Sequence, residues 1–188
     1  MQFLLEADKL KQVQRTCRIS GGSRVENSAE HSWHVALMAM VLREHAPEAV
    51  QLGRVLELLL VHDLTEVYAG DTLIYDDVAV ATQAARETAA AERLFALLPP
   101  EQREHFAALH LEFETVSTPE ARFARAMDAL QPTWLHWGEH AASPPETLTR
   151  ARVLEKKRAA LERFPELWLY LNDLIASAEG RGLLGAAR

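Results

Sequence analysis

Cysteine is almost missing from this chain, since Cys17 is the only one among 188 residues. A disulfide within the chain is therefore impossible, and a zinc site built from several cysteines is excluded. Long apolar runs are missing too, and none approaches the roughly 20 residues that span a membrane. Because the first ten residues include Glu6, Asp8 and Lys9, we expect no signal peptide and a protein of the reducing cytoplasm.

Positive charge is also scarce. The chain has 20 Lys and Arg against 27 Asp and Glu, which gives a formal net charge of −7. General affinity for duplex DNA or for acidic membranes needs a basic face. We therefore expect neither a nucleic-acid partner nor a membrane partner. A small phosphorylated ligand is not excluded, because one local cation can hold it.

Alternating β-branched residues, which are typical of strands, are not found in the sequence. Apolar residues recur at helical spacing instead, and capping residues and prolines mark the helix boundaries. The segment from Thr16 to Asn27, with its paired glycines, is expected to form a polar loop. Pro132 is expected to kink or end the helix that contains it. The predicted helices are Phe3–Val13, Ser28–His45, Val50–Tyr68, Asp77–Leu98, Glu101–Thr115, Thr118–Gln131, Ser143–Phe164 and Pro165–Glu179.

The capping signals are specific at three places. Thr118 with Pro119 begins one helix, Pro165 begins the last, and Ser143 with Glu146 predicts a capping box. Together these patterns predict an all-α protein with one domain over residues 1–180. The glycine-rich residues 181–188 are expected to form a flexible tail.

Several titratable groups interrupt otherwise apolar helices. His62, Asp63 and Glu66 follow the apolar run Val55–Val61, although charged groups are seldom buried without partners. Either this end of the helix reaches water, or the groups converge on something that needs them. His31 and Asp128 lie on two other apolar helices, and imidazoles with carboxylates suit a divalent transition metal.

The simpler interpretation of each residue remains open at this point. A single histidine on a helix is usually a satisfied or surface residue, and Asp128 could lie on a solvated face. Residues 62 and 63 are about 100° apart on a helix, so spacing does not predict that both reach one metal. The residues alone indicate a polar cluster between three helices.

Three segments in order carry a more specific signal: "ENSAEHSWHVALMAMVL", "LVHDLTEVYAGDT" and "EFETVSTPEARFARAMDALQ". Over about residues 9–137 the chain resembles the HD-domain superfamily of metal-dependent phosphohydrolases, in the branch of the 5′-deoxynucleotidases. The resemblance implies a single-domain HD-type helical bundle and one divalent metal, which could be Mn, Co, Ni, Fe, Zn or Mg. The implied metal ligands are His31, His62, Asp63 and Asp128.

The same resemblance implies roles around the metal. Glu66 and Asp71 would be the catalytic carboxyl groups, with Thr72 beside them, and Arg15 would hold the substrate phosphate through its planar guanidinium. We expect Trp33 to contact the substrate. With Phe123 and the apolar run Val55–Val61, Trp33 would also form a dry wall behind the ligands.

One departure from the family pattern concerns the sugar. A tryptophan often follows the phosphate-binding arginine in this branch, whereas this chain has Cys17 and Arg18. Selection for deoxyribose is therefore left open. Arg18 and Arg24 either serve a differently charged substrate or are solvated loop residues.

The resemblance predicts a 5′-nucleotidase that hydrolyses (deoxy)nucleoside monophosphates and forms a homodimer. The alternatives are an HD hydrolase of a triphosphate, a cyclic dinucleotide or an alarmone, and a nucleotide-binding HD module without turnover. His34, His136 and His140 leave a two-metal variant open. The aromatic residues Trp134, Trp137 and Trp168 are expected either inside the fold or at a subunit face.

Overall fold

The fold is helical throughout most of its length. The computed structural model describes residues 1–46, 49–138 and 148–185. The prediction of an all-α fold is confirmed. The helices within the described residues are α1 (Gln2–Asp8), α2 (Ser28–Val41), α3 (Leu52–Val61), α4 (Glu66–Ala69), α5 (Asp77–Phe95), α6 (Pro100–Thr115), α7 (Pro119–Trp137), α8 (Arg150–Leu161) and α9 (Pro165–Gly180), with 3₁₀ turns at Lys9–Gln12 and Arg43–His45.

A small antiparallel hairpin replaces the predicted polar loop. Strand β1 (Gln14–Arg18) pairs with β2 (Val25–Asn27), with Gln14 opposite Asn27 and Arg18 opposite Val25. The expectation that the chain has no strand was therefore wrong. These two strands, QRTCR and VEN, are mostly polar. They are also too short for alternating apolar and polar residues to show a period of two. Their register is irregular as well, and irregular pairing disturbs that alternation further.

The long helix predicted over Val50–Tyr68 is divided in two. Helix α3 ends at Val61, a turn follows, and α4 begins at Glu66. Gly70 then ends α4 with a φ of +74°, a conformation that glycine adopts without steric cost. The break places the His62–Asp63 pair in a turn between two helices.

The other boundary predictions had mixed outcomes. Thr118 caps α7 through its side chain, and Pro165 begins α9, as predicted. The cap of α2 is Asn27, in a capping box with Glu30, and not Ser28. Helix α7 continues through Pro132 to Trp137 and does not end at the proline. The capping box predicted at Ser143 and Glu146 lies outside the described residues.

The core lies where α2, α3 and α7 pack on one another, with α6 against α3 and α8 against α7. Fully buried side chains fill this centre, among them Leu58, Phe123, Leu130 and Trp137. None of the helices in the described parts of the chain is both long and apolar enough to cross a membrane. The single domain over residues 1–180 with a flexible tail stays a prediction, although Leu183 and Leu184 pack against the core.

Candidate active site

His62 and Asp63 directly follow the C-terminal end of α3, which packs against α7. The Nδ1 atom of His62 lies 2.7 Å from the carbonyl oxygen of Leu59. A carbonyl oxygen only accepts, so Nδ1 carries the hydrogen and the lone pair is on Nε2. That Nε2 is buried without a hydrogen-bond partner and lies 3.1 Å from Oδ1 of Asp63.

His31 and Asp128 approach the same point from α2 and α7. His31 Nε2 lies 3.0 Å from Oδ1 of Asp128 and 3.9 Å from Oδ2 of Asp63. His62 Nε2 lies 3.8 Å from the same Asp128 oxygen. The structure thus brings together the four residues predicted as metal ligands, although 97 residues separate His31 from Asp128.

Gln131 fixes the tautomer of His31. Its amide nitrogen donates to Oε1 of Glu26 at 2.6 Å, so its amide oxygen faces Nδ1 of His31 at 3.0 Å. Nδ1 of His31 therefore donates, and its Nε2 carries the lone pair. A partner that holds the second ring nitrogen in this way is typical of metal-ligating histidines.

This arrangement fits a divalent cation. The donor atoms of His31, His62 and Asp63 lie within 4.8 Å of one another. With both Nδ1 atoms protonated, the imidazole lone pairs face carboxylate oxygens, and acceptors facing acceptors repel unless positive charge lies between them. A mixed set of nitrogen and oxygen donors suits Mn, Fe, Co, Ni or Zn, and less well Mg.

Four carboxylates surround a single guanidinium beside this cluster. Nη1 of Arg15, on β1, lies 3.1 Å from Asp63, 3.4 Å from Asp71 and 3.9 Å from Glu66. Its Nε lies 3.7 Å from Glu26. The hairpin that the sequence did not predict is what places Arg15 and Glu26 here.

Burial and crowding shift the pKa values of these groups. Burial, with help from the Asp63 carboxylate, raises the pKa of Glu66 to about 9. Burial also raises the pKa of Asp71, although Arg15 opposes the shift. For Asp128, burial favours the neutral acid, but the interaction with the adjacent His31 and His62 rings outweighs it and holds the pKa well below its usual range.

The cluster opens into a cavity of about 780 Å³ between α4, α7 and α8. Its acidic side includes Asp63, Glu66, Asp71 and Asp128, and Glu87 and Glu114 line it as well. Apolar residues and cations on or next to α7 and α8 also line the cavity. This volume accommodates a ligand of nucleotide size. Besides Arg15, the lining cations are Arg122, Arg125, Lys156, Lys157 and Arg163.

The predicted substrate residues have different positions. Thr72 lines the cavity, and its hydroxyl accepts a hydrogen bond from Arg86 at 2.7 Å. Trp33 is 64% exposed and is not among the lining residues. This placement corrects the expectation that Trp33 forms a wall of the site, because residue 33 points about 200° away from His31 around α2. Phe123 is buried in the core against Phe164, and Phe113 packs on His62 in its place.

The remaining polar residues of the first half have structural partners. Arg18 donates to the carbonyl oxygen of Gly22 in its own hairpin, and Arg24 pairs with Glu30. His34 is half-buried, with Nδ1 3.1 Å from the amide nitrogen of Gln131. His136 lines the cavity but contacts Cys17, at 3.1 Å between Nε2 and Sγ. His140 lies outside the described residues.

Among the buried polar residues at the site, Glu26, Gln131 and Lys157 were not predicted from the sequence. For two of them a signal existed. Gln131 follows Asp128 by three residues, which places both on one face of α7. Lys157 shares a face of α8 with Val153 and Leu161, four residues before and after it. Glu26 had no such signal, because it lies on a three-residue strand.

Comparison with known proteins adds independent observations. The sequence profile described as "HD domain" matches residues 7–168. The chain is 33% identical over 129 residues to human 5′-deoxynucleotidase HDDC2, which is 68% of this chain and 62% of that protein. It is 28% identical over 134 residues to the 5′-deoxynucleotidase hdd1 of Schizosaccharomyces pombe, which is 69% of this chain and 66% of that protein. The chain thus spans less than two thirds of the length of these curated relatives.

A solved structure is similar over nearly the whole chain. It is the crystal structure of a predicted metal-dependent phosphohydrolase from Magnetospirillum magnetotacticum MS-1, with a TM-score of 0.84 and 43% sequence identity. The match covers 99% of this chain and 94% of the bacterial one. The overall fold described above therefore corresponds to an arrangement seen in an experimental structure.

Proposed function

The chain belongs to the HD domain family, and from that membership we propose that it is a divalent-metal-dependent 5′-nucleotidase acting on (deoxy)nucleoside monophosphates. The observation that carries the proposal is the convergence of His31, His62, Asp63 and Asp128 beside a cavity of nucleotide size. Two further carboxyl groups, Glu66 and Asp71, line the same cavity. A module that only bound a nucleotide would have no need of them.

The metal would be held by His31, His62, Asp63 and Asp128. When bound, a divalent metal withdraws electrons from a phosphoryl oxygen and makes water a better nucleophile near neutral pH. Gln131 and the carbonyl of Leu59 keep the two imidazoles oriented with their lone pairs toward the site.

Proton transfer is assigned to the two remaining carboxyl groups. Glu66 lines the cavity, so its carboxyl group can exchange a proton with water or with the leaving oxygen of a substrate bound there. Asp71 lies on the segment after Gly70 and faces the same cavity. Arg15 holds both carboxyl groups in place at 3.9 and 3.4 Å, and it is the predicted phosphate-binding arginine.

A phosphate-release screen tests this function. The protein is stripped with a chelator and assayed with each of the metals Mn, Co, Ni, Fe, Zn and Mg added back. The substrates are ribo- and deoxyribonucleoside 5′-monophosphates, with 3′-monophosphates, diphosphates and triphosphates as comparison. We expect turnover of 5′-monophosphates only after metal is restored. Absence of turnover in every pairing, with metal bound, would leave a binding module instead.

We also propose a homodimer located in the cytoplasm. The outer face of α2 exposes four large apolar side chains, a stripe that a second copy would cover. They are Trp33, Leu37, Met40 and Val41. The single free cysteine fits a reducing compartment. Light scattering after gel filtration tests the dimer, and Leu37→Glu with Met40→Glu should then yield monomers.

A further inference from the structure

Lys157 is a buried cation in the wall of the active-site cavity. It lies on α8, and its neighbours along the same helix face, Val153 and Leu161, are fully buried core residues. Lys157 itself is only 4% exposed, yet it is among the residues that line the cavity. The apolar face of α8 therefore delivers one charged group toward the cavity.

No protein group neutralises this charge in the part of the chain that the structure describes. Within residues 1–46, 49–138 and 148–185, no hydrogen bond or carboxylate contact of Lys157 is found. Burial lowers the pKa of its ammonium group, and Asp128 acts on it only as a more distant charge. The adjacent Lys156 contrasts with it, because its Nζ lies 2.7 Å from Asp77 on the surface.

An unpaired buried charge lowers stability, and a buried ionisable group that faces a cleft is a candidate ligand-binding group. The cation on the acidic side of the cavity, Arg15, already has four carboxyl groups within 3.9 Å. Glu66 is protonated below its pKa of about 9, but the carboxylates of Asp63 and Asp71 still offset the positive charge of Arg15. An anionic ligand in this cavity needs positive charge that is not already paired with carboxylates, and Lys157 on α8 supplies it.

We propose that Lys157 is a substrate-binding residue whose ammonium group donates a hydrogen bond to a phosphoryl oxygen of the bound nucleotide. The proposal rests on the proposed function, since it assigns a contact of the same cavity. It predicts that Lys157 recognises the phosphate and not the base or the sugar.

The test compares Lys157→Met, Lys157→Arg and the wild type, with Lys11→Met as control. Met keeps the length of the buried stem without the charge. Lys11 is an exposed lysine that pairs with Asp8, so its replacement changes the net charge equally. Inorganic phosphate is titrated into each protein, with and without metal, by calorimetry and by thermal unfolding.

We expect phosphate to bind Lys157→Met about 10- to 100-fold more weakly than wild type, as for loss of one charge-assisted hydrogen bond. Lys157→Arg should retain most of the affinity, and Lys11→Met all of it. Without ligand, Lys157→Met should melt at or above the wild-type temperature, because it loses an unpaired charge. A merely structural lysine would lower that temperature.

Kinetics separate the phosphate from the rest of the nucleotide. In Lys157→Met, KM for a nucleoside monophosphate and the inhibition constant of phosphate should rise together, whereas inhibition by the unphosphorylated nucleoside should not change. Weaker nucleoside inhibition with unchanged phosphate affinity would overturn the proposal. So would a phosphate affinity of Lys157→Met within twofold of wild type.

The outcomes also separate this inference from the function on which it rests. If wild type hydrolyses no nucleotide but its phosphate affinity depends on Lys157, the anion contact stands and the nucleotidase assignment fails. Should Lys157→Met not fold, acylation of lysines in the wild type decides the question. Phosphate should slow acylation of Lys157 relative to Lys11, read by peptide mass spectrometry, and equal slowing or none would overturn the proposal.

Discussion

Gln131→Leu is the substitution that tests most directly how the site is held together. The amide of Gln131 contacts Nδ1 of His31 at 3.0 Å, Oε1 of Glu26 at 2.6 Å and Nδ1 of His34 at 3.1 Å. Gln131 and His31 are completely buried. Leucine has a similar volume, so the substitution removes the hydrogen bonds and leaves little cavity.

The magnitude follows from the groups left without partners. An unsatisfied buried donor or acceptor costs about 1–3 kcal/mol, and the change strands the N–H of His31 and one oxygen of Glu26. We therefore expect the free energy of unfolding to fall by roughly 2–6 kcal/mol. Since His31 loses the partner that fixes its tautomer, metal affinity should also fall about 10- to 100-fold.

Urea denaturation in the presence of a chelator measures the change in the free energy of unfolding. Competition with a chromophoric chelator measures the metal affinity. Gln102→Leu, at an exposed position of α6, is the matched control and should change stability by less than about 0.5 kcal/mol. If Gln131→Leu kept the metal affinity of wild type within threefold, Gln131 would not orient a metal ligand, and the tautomer argument would be refuted.

Three other predictions use single substitutions. His62→Ala should abolish metal binding, seen by competition titration, and hydrolysis, whereas alanine at the exposed His105 should change neither. Glu66→Gln should bind metal as wild type does but release phosphate at least about 100-fold more slowly, because the proton-transfer group is lost; normal turnover would refute that role. Burial lowers the pKa of His136 to about 4, with the charge of Lys157 adding to it. The neutral imidazole thus stabilises the fold above pH 6.5, and this contribution, up to about 3 kcal/mol, disappears as pH falls toward 4. His136→Gln should flatten that part of the urea stability profile, and an unchanged slope would contradict the assignment.

The helices could be predicted because their signals are local. Caps such as Thr118 with Pro119, and the proline at residue 165, identify helix starts without knowledge of the fold. The break after Val61 could not be found in this way. His62 keeps helical backbone angles although α3 ends at Val61. The sequence around residue 61 contains no glycine or proline that would mark the end of the helix.

The site could be predicted only in part from the residues alone. Periodicity identifies His31 and Asp128 as polar residues on buried helices. No local sequence pattern predicts that two residues 97 positions apart come into contact. The resemblance supplied that step, and the family match confirms the resemblance. For Trp33 the sequence was misleading in another way. It follows the predicted metal ligand His31 by only two residues, but two residues on a helix are about 200° apart, so Trp33 faces away from the site.

The charge balance of the cavity relates the acidic cluster around Arg15 to the buried cation Lys157. Four carboxyl groups share one guanidinium at Arg15, and even with Glu66 protonated the carboxylates of Asp63, Asp71 and Asp128 leave an excess of negative charge that repels a phosphate. A divalent cation at His31 and His62 would reverse that excess locally, whereas Lys157 on α8 adds positive charge to the cavity lining. Because linkage is reciprocal, a metal that strengthens phosphate binding is itself bound more tightly in the presence of phosphate. Lys157 without a partner and the crowded acids are each destabilising alone. In the proposed site, a bound divalent metal would balance the acids and a bound phosphate would balance Lys157.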